Sequence, residues 1–187
     1  TRQLQAIKPD FRLIQVRLQV AYSSQLDEII HAFQESLKAP NAPAASRLGL
    51  TLALLRNNRI DEAASTLAPL LVSDPTRLDY RITAIDIALA RRDYASAMKQ
   101  SQEALTLFPG QPSVLDRMTR AALPLGRADQ LRPLLDRAVR VHANDPHLWR
   151  LLSDCAASQK DGQSVFRARA EILFLTNRQK PAEEQMK

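Results

Sequence analysis

The residues that could perform chemistry are few, and their spacing does not bring them together. The chain has three histidines and one cysteine. His31 is followed by Ala-Phe-Gln-Glu, so it lacks the second histidine, one helical turn away, with which a His-Glu-x-x-His segment binds zinc. His142 and His147 flank an Asn-Asp-Pro junction, and histidines at helix ends commonly interact with the helix dipole instead. The sequence therefore predicts no metal site.

The common nucleophile and cofactor motifs are also missing. Cys155 lies beside an apolar helix position and no histidine is spaced to activate it, so we expect a buried, inert thiol. There is no Gly-x-Ser-x-Gly segment, phosphate-binding loop or dinucleotide-binding turn, and the whole chain has only 4 glycines. Tyr94, Trp149 and Phe166 recur at helical spacings and are expected in the core. The sequence predicts neither catalytic residues nor a cofactor in this chain.

Composition and charge narrow the class of protein. The chain has 187 residues, of which 45% are hydrophobic and 25% charged, as in folded globular proteins. Its length suits one domain or a short repeat array, and no apolar stretch is long enough to cross a bilayer. We therefore expect no membrane insertion. Because the chain begins with Thr1 and has no N-terminal targeting segment, we expect a piece of a longer protein.

The net charge of +6 raises the question of an anionic partner. A nucleic acid could be bound by the arginine-rich helix around Arg127, Arg132, Arg137 and Arg140. No aromatic residues interleaved with the charges, zinc finger or ribonucleoprotein motif accompanies these arginines, however. We expect a solvated basic surface and no nucleic-acid partner.

A regular repeat organises the apolar positions. Ile60, Tyr94 and Ala128 are evenly spaced along the chain, and each follows a polar turn. Their spacing of about 34 residues is typical of tetratricopeptide helical hairpins. The same register places apolar residues at every first-helix packing position and mostly small residues where helices approach closely. The packing positions are Leu50, Leu54, Ala84, Ala88, Met118, Ala122, Leu152 and Ala156, and the close-approach positions are Thr51, Ile85, Thr119 and Ser153.

The period predicts an all-α fold, a right-handed tetratricopeptide superhelix of about five hairpins in a single array over 1–187. Pro69 and Pro124 fall within predicted helices, so we expect a kink or an early stop at each. The segment 178–187 is expected to begin a further repeat. The predicted helix pairs are 11–22 with 25–38, 44–56 with 60–73, 78–90 with 94–107, 112–124 with 128–142, and 146–158 with 164–176, which gives hairpins over 11–38, 44–73, 78–107, 112–142 and 146–176.

Stacked hairpins form a concave groove lined by their first helices. The outward positions of those helices carry both signs of charge, which suits a polypeptide partner better than a uniform polyanion. An alternative is that these residues are solvated and paired by local salt bridges. The predicted partner-binding residues are Arg56, Asp86, Asp116, Arg120, Arg150 and Asp154.

An ordered set of segments runs over nearly the whole chain. It includes 11–17 (Phe-Arg-Leu-Ile-Gln-Val-Arg), 59–63 (Arg-Ile-Asp-Glu-Ala), 67–71 (Leu-Ala-Pro-Leu-Leu), 145–152 (Asp-Pro-His-Leu-Trp-Arg-Leu-Leu) and 167–171 (Arg-Ala-Arg-Ala-Glu). In this set the chain resembles the C-terminal tetratricopeptide region of bacterial periplasmic zinc metalloproteases of the β-barrel assembly-enhancing type.

The resemblance implies a role beside an enzyme. In that family the protease domain precedes the repeats and holds the zinc, so zinc is implied only for that absent domain and no catalytic or metal residue carries over. The implied role is to dock the protease onto the outer-membrane β-barrel assembly machinery, and onto β-barrel or lipopolysaccharide-export substrates, in the periplasm of a Gram-negative bacterium. The alternative is a free-standing tetratricopeptide adaptor of a multiprotein complex, located in the cytoplasm or part of a secretion system.

Overall fold

The computed structural model describes the backbone of residues 11–185 and the side chains of residues 11–176. This part of the chain folds into ten α-helices and contains no strand, so the predicted all-α class is confirmed. None of its helices is long and apolar enough to cross a membrane. The helices are α1 (Phe11–Tyr22), α2 (Leu26–Ser36), α3 (Ala44–Arg56), α4 (Ile60–Ser73), α5 (Leu78–Ala90), α6 (Tyr94–Leu107), α7 (Pro112–Ala122), α8 (Ala128–Val141), α9 (Pro146–Ser158) and α10 (Gly162–Gln185).

The chain divides into two compact units, with the boundary between Arg91 and Arg92. The first unit contains α1 to α5 and the second contains α6 to α10. Helices α1, α3 to α6 and α9 have the predicted bounds. The arrangement of the hairpins in one continuous array stays a prediction.

The turns within the hairpins show the repeat period in their backbone geometry. At the first of them the amide of Asn58 donates to the carbonyl of Leu55 at 3.1 Å, and the amide of Arg59 donates to that of Leu54 at 2.8 Å. This pair of bonds closes a helix with one residue in the left-handed conformation. It recurs at Gly126 and Lys160. The residues with φ between 59° and 68° at this position are Asn58, Arg92, Gly126 and Lys160, each one repeat period after the last.

Helix α3 is the centre of the first unit and contacts each of its other four helices. It approaches α1 and α2 closely at Gly49, where a Cβ atom would lie 2.5 Å from Phe33 Cζ and 2.6 Å from Val16 Cγ1. An ion pair of 2.9 Å between Arg17 and Asp79 joins α1 to α5. The largest fully buried side chains of this unit are Leu48, Leu54, Leu67, Tyr80 and Ile85.

In the second unit each helix packs on the next along the chain, and α7 also contacts α9. Its largest fully buried side chains are Met98, Val114, Leu115, Met118, Leu131, Leu135 and Leu148. Across both units the predicted first-helix packing positions are buried except Ala84, which is half-buried. The four close-approach positions are all buried. The register read from the sequence is therefore confirmed.

The prolines behave differently from one another. Helix α7 ends at Ala122, as the predicted early stop at Pro124 requires. Helix α4 continues through Pro69 to Ser73, so of the two outcomes predicted at Pro69 the early stop is wrong and the kink stays a prediction. Pro69 and the preceding turn at Ser65 are exposed, so water can replace the hydrogen bond that the proline removes.

The end of α10 also differs from the prediction. The expected end at residue 176 is wrong, since the helix continues to Gln185. No glycine or proline lies between Gly162 and Pro181 to end it earlier. The expected further repeat over 178–187 falls on residues whose side chains lie outside the described part, so it stays a prediction.

Candidate partner-binding surface

Four of the predicted binding residues lie on α7 and α9, two first helices that contact each other in the second unit. Asp116 and Arg120 are one turn apart on α7, and Arg150 and Asp154 occupy the equivalent positions one repeat later, on α9. Equivalent positions therefore carry opposite charges. We call these four residues the α7–α9 row.

Three members of the α7–α9 row are available to another molecule. Arg120, Arg150 and Asp154 are exposed and make no hydrogen bond or ion pair with any described residue. Asp116 is half-buried, and its Oδ1 lies 3.2 Å from Nε2 of His147 at the start of α9. The sequence did not reveal this contact. A polypeptide with charges of both signs would complement the exposed members.

Arg56 has a structural role that the sequence did not indicate. Its Nη1 donates to the carbonyl oxygen of Ser23 at 2.8 Å and also to that of Val20. Val20 lies in the last turn of α1, where backbone carbonyls have no partner within the helix. Arg56 thus ties the end of α3 to the end of α1.

Asp86, the other predicted residue in the first unit, is half-buried on α5 and interacts within the chain. Neither Arg56 nor Asp86 is therefore presented as freely as the exposed members of the α7–α9 row. A direct partner contact by any of the six residues stays a prediction.

The aromatic residues have mixed environments. Trp149 is buried, as predicted, and Tyr94 is half-buried. The prediction that Phe166 belongs to the core is wrong, because 75% of it is exposed. The buried residue of this segment is Ala168, which lies about 200° around the helix from Phe166.

Cys155 is fully buried, and its Sγ donates to the carbonyl of Ala128 at 3.3 Å. Burial raises the pKa of this thiol, chiefly because the thiolate would be desolvated. The predicted buried thiol is confirmed. In the described part of the chain, no group of three or more His, Cys, Asp or Glu side chains could hold a metal ion.

One arginine of α8, Arg132, is paired within the chain. Arg132 is half-buried, and its Nη2 donates to Ser164 Oγ at 2.7 Å while its Nη1 lies 3.3 Å from Asp161. Hydrogen bonds from Ser164, with a smaller contribution from Arg132, hold the pKa of Asp161 below its usual value. The charge of Arg132 is thus balanced by nearby carboxylates, so this arginine does not favour the binding of a nucleic acid. The expectation of no nucleic-acid partner stays a prediction.

The second unit also contains a cleft that the sequence did not reveal. It has a volume of about 380 Å³ and is bounded by α8, α9 and α10. Arg140, named above only for the nucleic-acid alternative, lines this cleft, and so does Trp149, which is buried as predicted. The four-residue spacing of Arg132, Asp136 and Arg140 on one face of α8 was the available signal.

Together, the repeat period in the apolar positions and in the turns defines an all-helical protein of the tetratricopeptide type, a class of protein-interaction module. Solved structures of MamA share the fold. MamA MSR-1 has a TM-score of 0.64 and 15% identity over 91% of this chain and 99% of that one. MamA AMB-1 has a TM-score of 0.61 and 15% identity over 89% and 99%.

Curated relatives give a more particular likeness. The chain is 26% identical over 171 residues to the β-barrel assembly-enhancing protease of Escherichia coli (strain K12), which covers 90% of this chain and 35% of that protein. It is 28% identical over 134 residues to the protein of the same name from Yersinia pestis, over 72% of this chain and 28% of that protein. No protein-family profile matches.

These relatives confirm the resemblance seen in the sequence segments. The matched region is the C-terminal part of those proteases. The chain spans about a third of the length of the curated relatives it matches.

Proposed function

We propose that this chain is the partner-docking module of a periplasmic metalloprotease of the β-barrel assembly-enhancing type. The observation that carries the proposal is the sequence similarity over 90% of the chain to the C-terminal part of such a protease. The exposed charges of the α7–α9 row supply a surface for the docking. Its partners are components of the outer-membrane β-barrel assembly machinery and the β-barrel or lipopolysaccharide-export substrates of the protease.

The module acts by holding proteins rather than by catalysis. Its helices hold the backbone at Arg120, Arg150 and Asp154 in place, so binding orders only side chains on this side of the interface. Such exposed contacts govern recognition and the rate of association, and salt weakens them. The zinc of the protease belongs to the protease domain, so no step of the docking involves it.

The test is a pull-down of the solubilised outer-membrane β-barrel assembly complex by the immobilised chain. The test variant is Arg120→Glu with Arg150→Glu. The matched control is Arg137→Glu with Arg169→Glu, which makes the same change in charge at exposed positions on α8 and α10. Circular dichroism establishes that both variants keep their helix content.

We expect the wild-type chain and the control to capture the complex and the test variant to lose about tenfold in affinity, since each reversal removes an attraction and adds a repulsion. Equal capture by all three chains would remove the α7–α9 row from the proposal. Absence of capture by the wild-type chain, with capture of an unrelated multiprotein complex instead, would favour a free-standing adaptor.

A further inference from the structure

The cleft of about 380 Å³ in the second unit has the size of a small-ligand or side-chain pocket. One face of α8 lines it with Arg132, Asp136 and Arg140, which succeed one another at four-residue intervals. One face of α10 lines the other side with Arg167, Glu171 and Phe174, and α9 contributes Trp149 and Leu152. Two helix faces thus converge on one space.

Much of the cleft is apolar. Val139, Trp149 and Leu152 line it as buried side chains, and Phe174, which is 51% exposed, is half open to solvent. The indole nitrogen of Trp149 donates to the carbonyl of Ala143 at 2.8 Å, so its only polar atom is already satisfied. Trp149 is 7% exposed, so the ring offers a small carbon surface to an occupant, and Phe174 adds a more exposed one; covering them removes apolar area from water.

Two cations at the rim of the cleft lack a partner among the described residues. Arg140 on α8 and Arg167 on α10 are exposed and make no ion pair or hydrogen bond with any of those residues. Arg132, by contrast, is held by Asp136 and Asp161. Glu171 is the other carboxylate of the lining. The cleft thus has an excess of positive charge, and its two unpaired arginines come from opposite helices.

We propose that this cleft binds an extended polypeptide segment in which carboxylates flank a large apolar side chain. The apolar side chain packs on Trp149 and Phe174, and the carboxylates pair with Arg140 and Arg167, whose planar guanidinium groups match carboxylate geometry. A uniform polyanion fits less well, since Asp136 and Glu171 would repel it. The site goes beyond the proposed docking surface, because no member of the α7–α9 row lines the cleft.

The single tryptophan of the chain reports occupancy directly, because Trp149 lines the cleft. The probe is the peptide acetyl-Gly-Asp-Phe-Asp-Gly-amide, titrated to about 1 mM, a concentration that detects weak specific binding. The comparison peptides replace both aspartates by lysine or the phenylalanine by alanine. We expect a saturable change in emission with the first peptide and at least about tenfold weaker binding of the other two.

Variants locate the binding. Arg140→Glu with Arg167→Glu should weaken binding of the acidic peptide at least about tenfold. Arg140→Gln with Arg167→Gln, which removes the charge and keeps hydrogen-bonding capacity, should give a smaller loss in a chain that stays folded. The matched control, Arg137→Glu with Arg169→Glu, reverses charge on the same two helices outside this cleft. It should bind within about twofold of wild type, because neither of these side chains lines the cleft.

Three results would overturn the inference: no change in emission with any peptide, equal binding of the acidic and lysine peptides, or equal losses in the test and control pairs. The outcome is separable from that of the proposed function. Arg120→Glu with Arg150→Glu should retain peptide binding, because these residues lie outside the cleft. Retained peptide binding by a chain that captures no assembly complex would refute the proposed partner and leave the cleft assignment standing.

Discussion

Replacing Lys160 by glycine should stabilise the second unit. Lys160 has a φ of 60°, a left-handed conformation that costs an L-residue roughly 1–2 kcal/mol. Its side chain is exposed and makes no hydrogen bond or ion pair with any described residue that the substitution would remove. Glycine avoids this steric cost, but it also gives the unfolded chain more conformational freedom, which lowers the free energy of unfolding by about 0.5–1 kcal/mol. The free energy of unfolding should therefore rise by about 0.5–1 kcal/mol in Lys160→Gly.

The opposite substitution can be made one repeat earlier, where a glycine occupies the position equivalent to Lys160. Gly126 has a φ of 68°, and a Cβ atom there would meet nothing within 4 Å. Gly126→Ala should therefore lower the free energy of unfolding by about 0.5–1 kcal/mol, and only because of the left-handed backbone. Opposite signs at two residues one repeat apart would link the effect to the repeated turn.

Urea denaturation followed by Trp149 fluorescence measures both changes, because the only tryptophan lies in the second unit. Lys160→Ala is the matched control, since it removes the side chain and keeps the left-handed cost. The midpoint should rise in Lys160→Gly, stay near wild type in Lys160→Ala and fall in Gly126→Ala. A Lys160→Gly variant no more stable than Lys160→Ala would refute the reasoning.

Three further outcomes are expected. Gly49→Ala should lower the free energy of unfolding by about 1 kcal/mol, because the overlap with Phe33 outweighs the gain in helix propensity. Thermal unfolding measures this change. The neutral control is Gly162→Ala, since a Cβ atom added there meets nothing within 4 Å. Cys155 should resist a thiol reagent at pH 8 until the chain unfolds, and fast native labelling would contradict its burial. Asp161, whose pKa is lowered by folding, should contribute stability above about pH 3.8 that is lost as the pH falls through its folded-state pKa. The difference in melting temperature between wild type and Asp161→Asn should accordingly shrink from pH 7 to pH 3, and an unchanged difference would contradict this role.

The sequence predicted those parts of the fold that depend on a repeated pattern. The bounds of α3 to α6 and the burial of Met118 and Leu152 follow from the repeat register, since each hairpin must present its apolar positions to its neighbours. The left-handed conformation of Arg92 and Lys160 was not predicted, because no glycine marks these positions in the sequence. The end of α10 was missed because no residue in the sequence terminates it near residue 176.

The candidate site was harder to predict because it depends on individual contacts between distant residues. Arg56 donates to carbonyls 33 and 36 residues earlier in the chain. Asp116 on α7 contacts His147 on α9. A periodic pattern specifies which face of a helix is buried but not which polar side chain meets which. The cleft beside Trp149 likewise arises from the space left between three helices.

Site-specific photocross-linking tests most directly whether the chain holds proteins through the α7–α9 row. A benzophenone amino acid placed at position 120 or 150 would be activated in the presence of the outer-membrane β-barrel assembly complex, with position 169 on α10 as the control. Cross-links to components of that complex from positions 120 and 150, reduced by added salt and much weaker from position 169, are the expected result. Equal cross-linking from all three positions, or none from 120 and 150, would contradict the account.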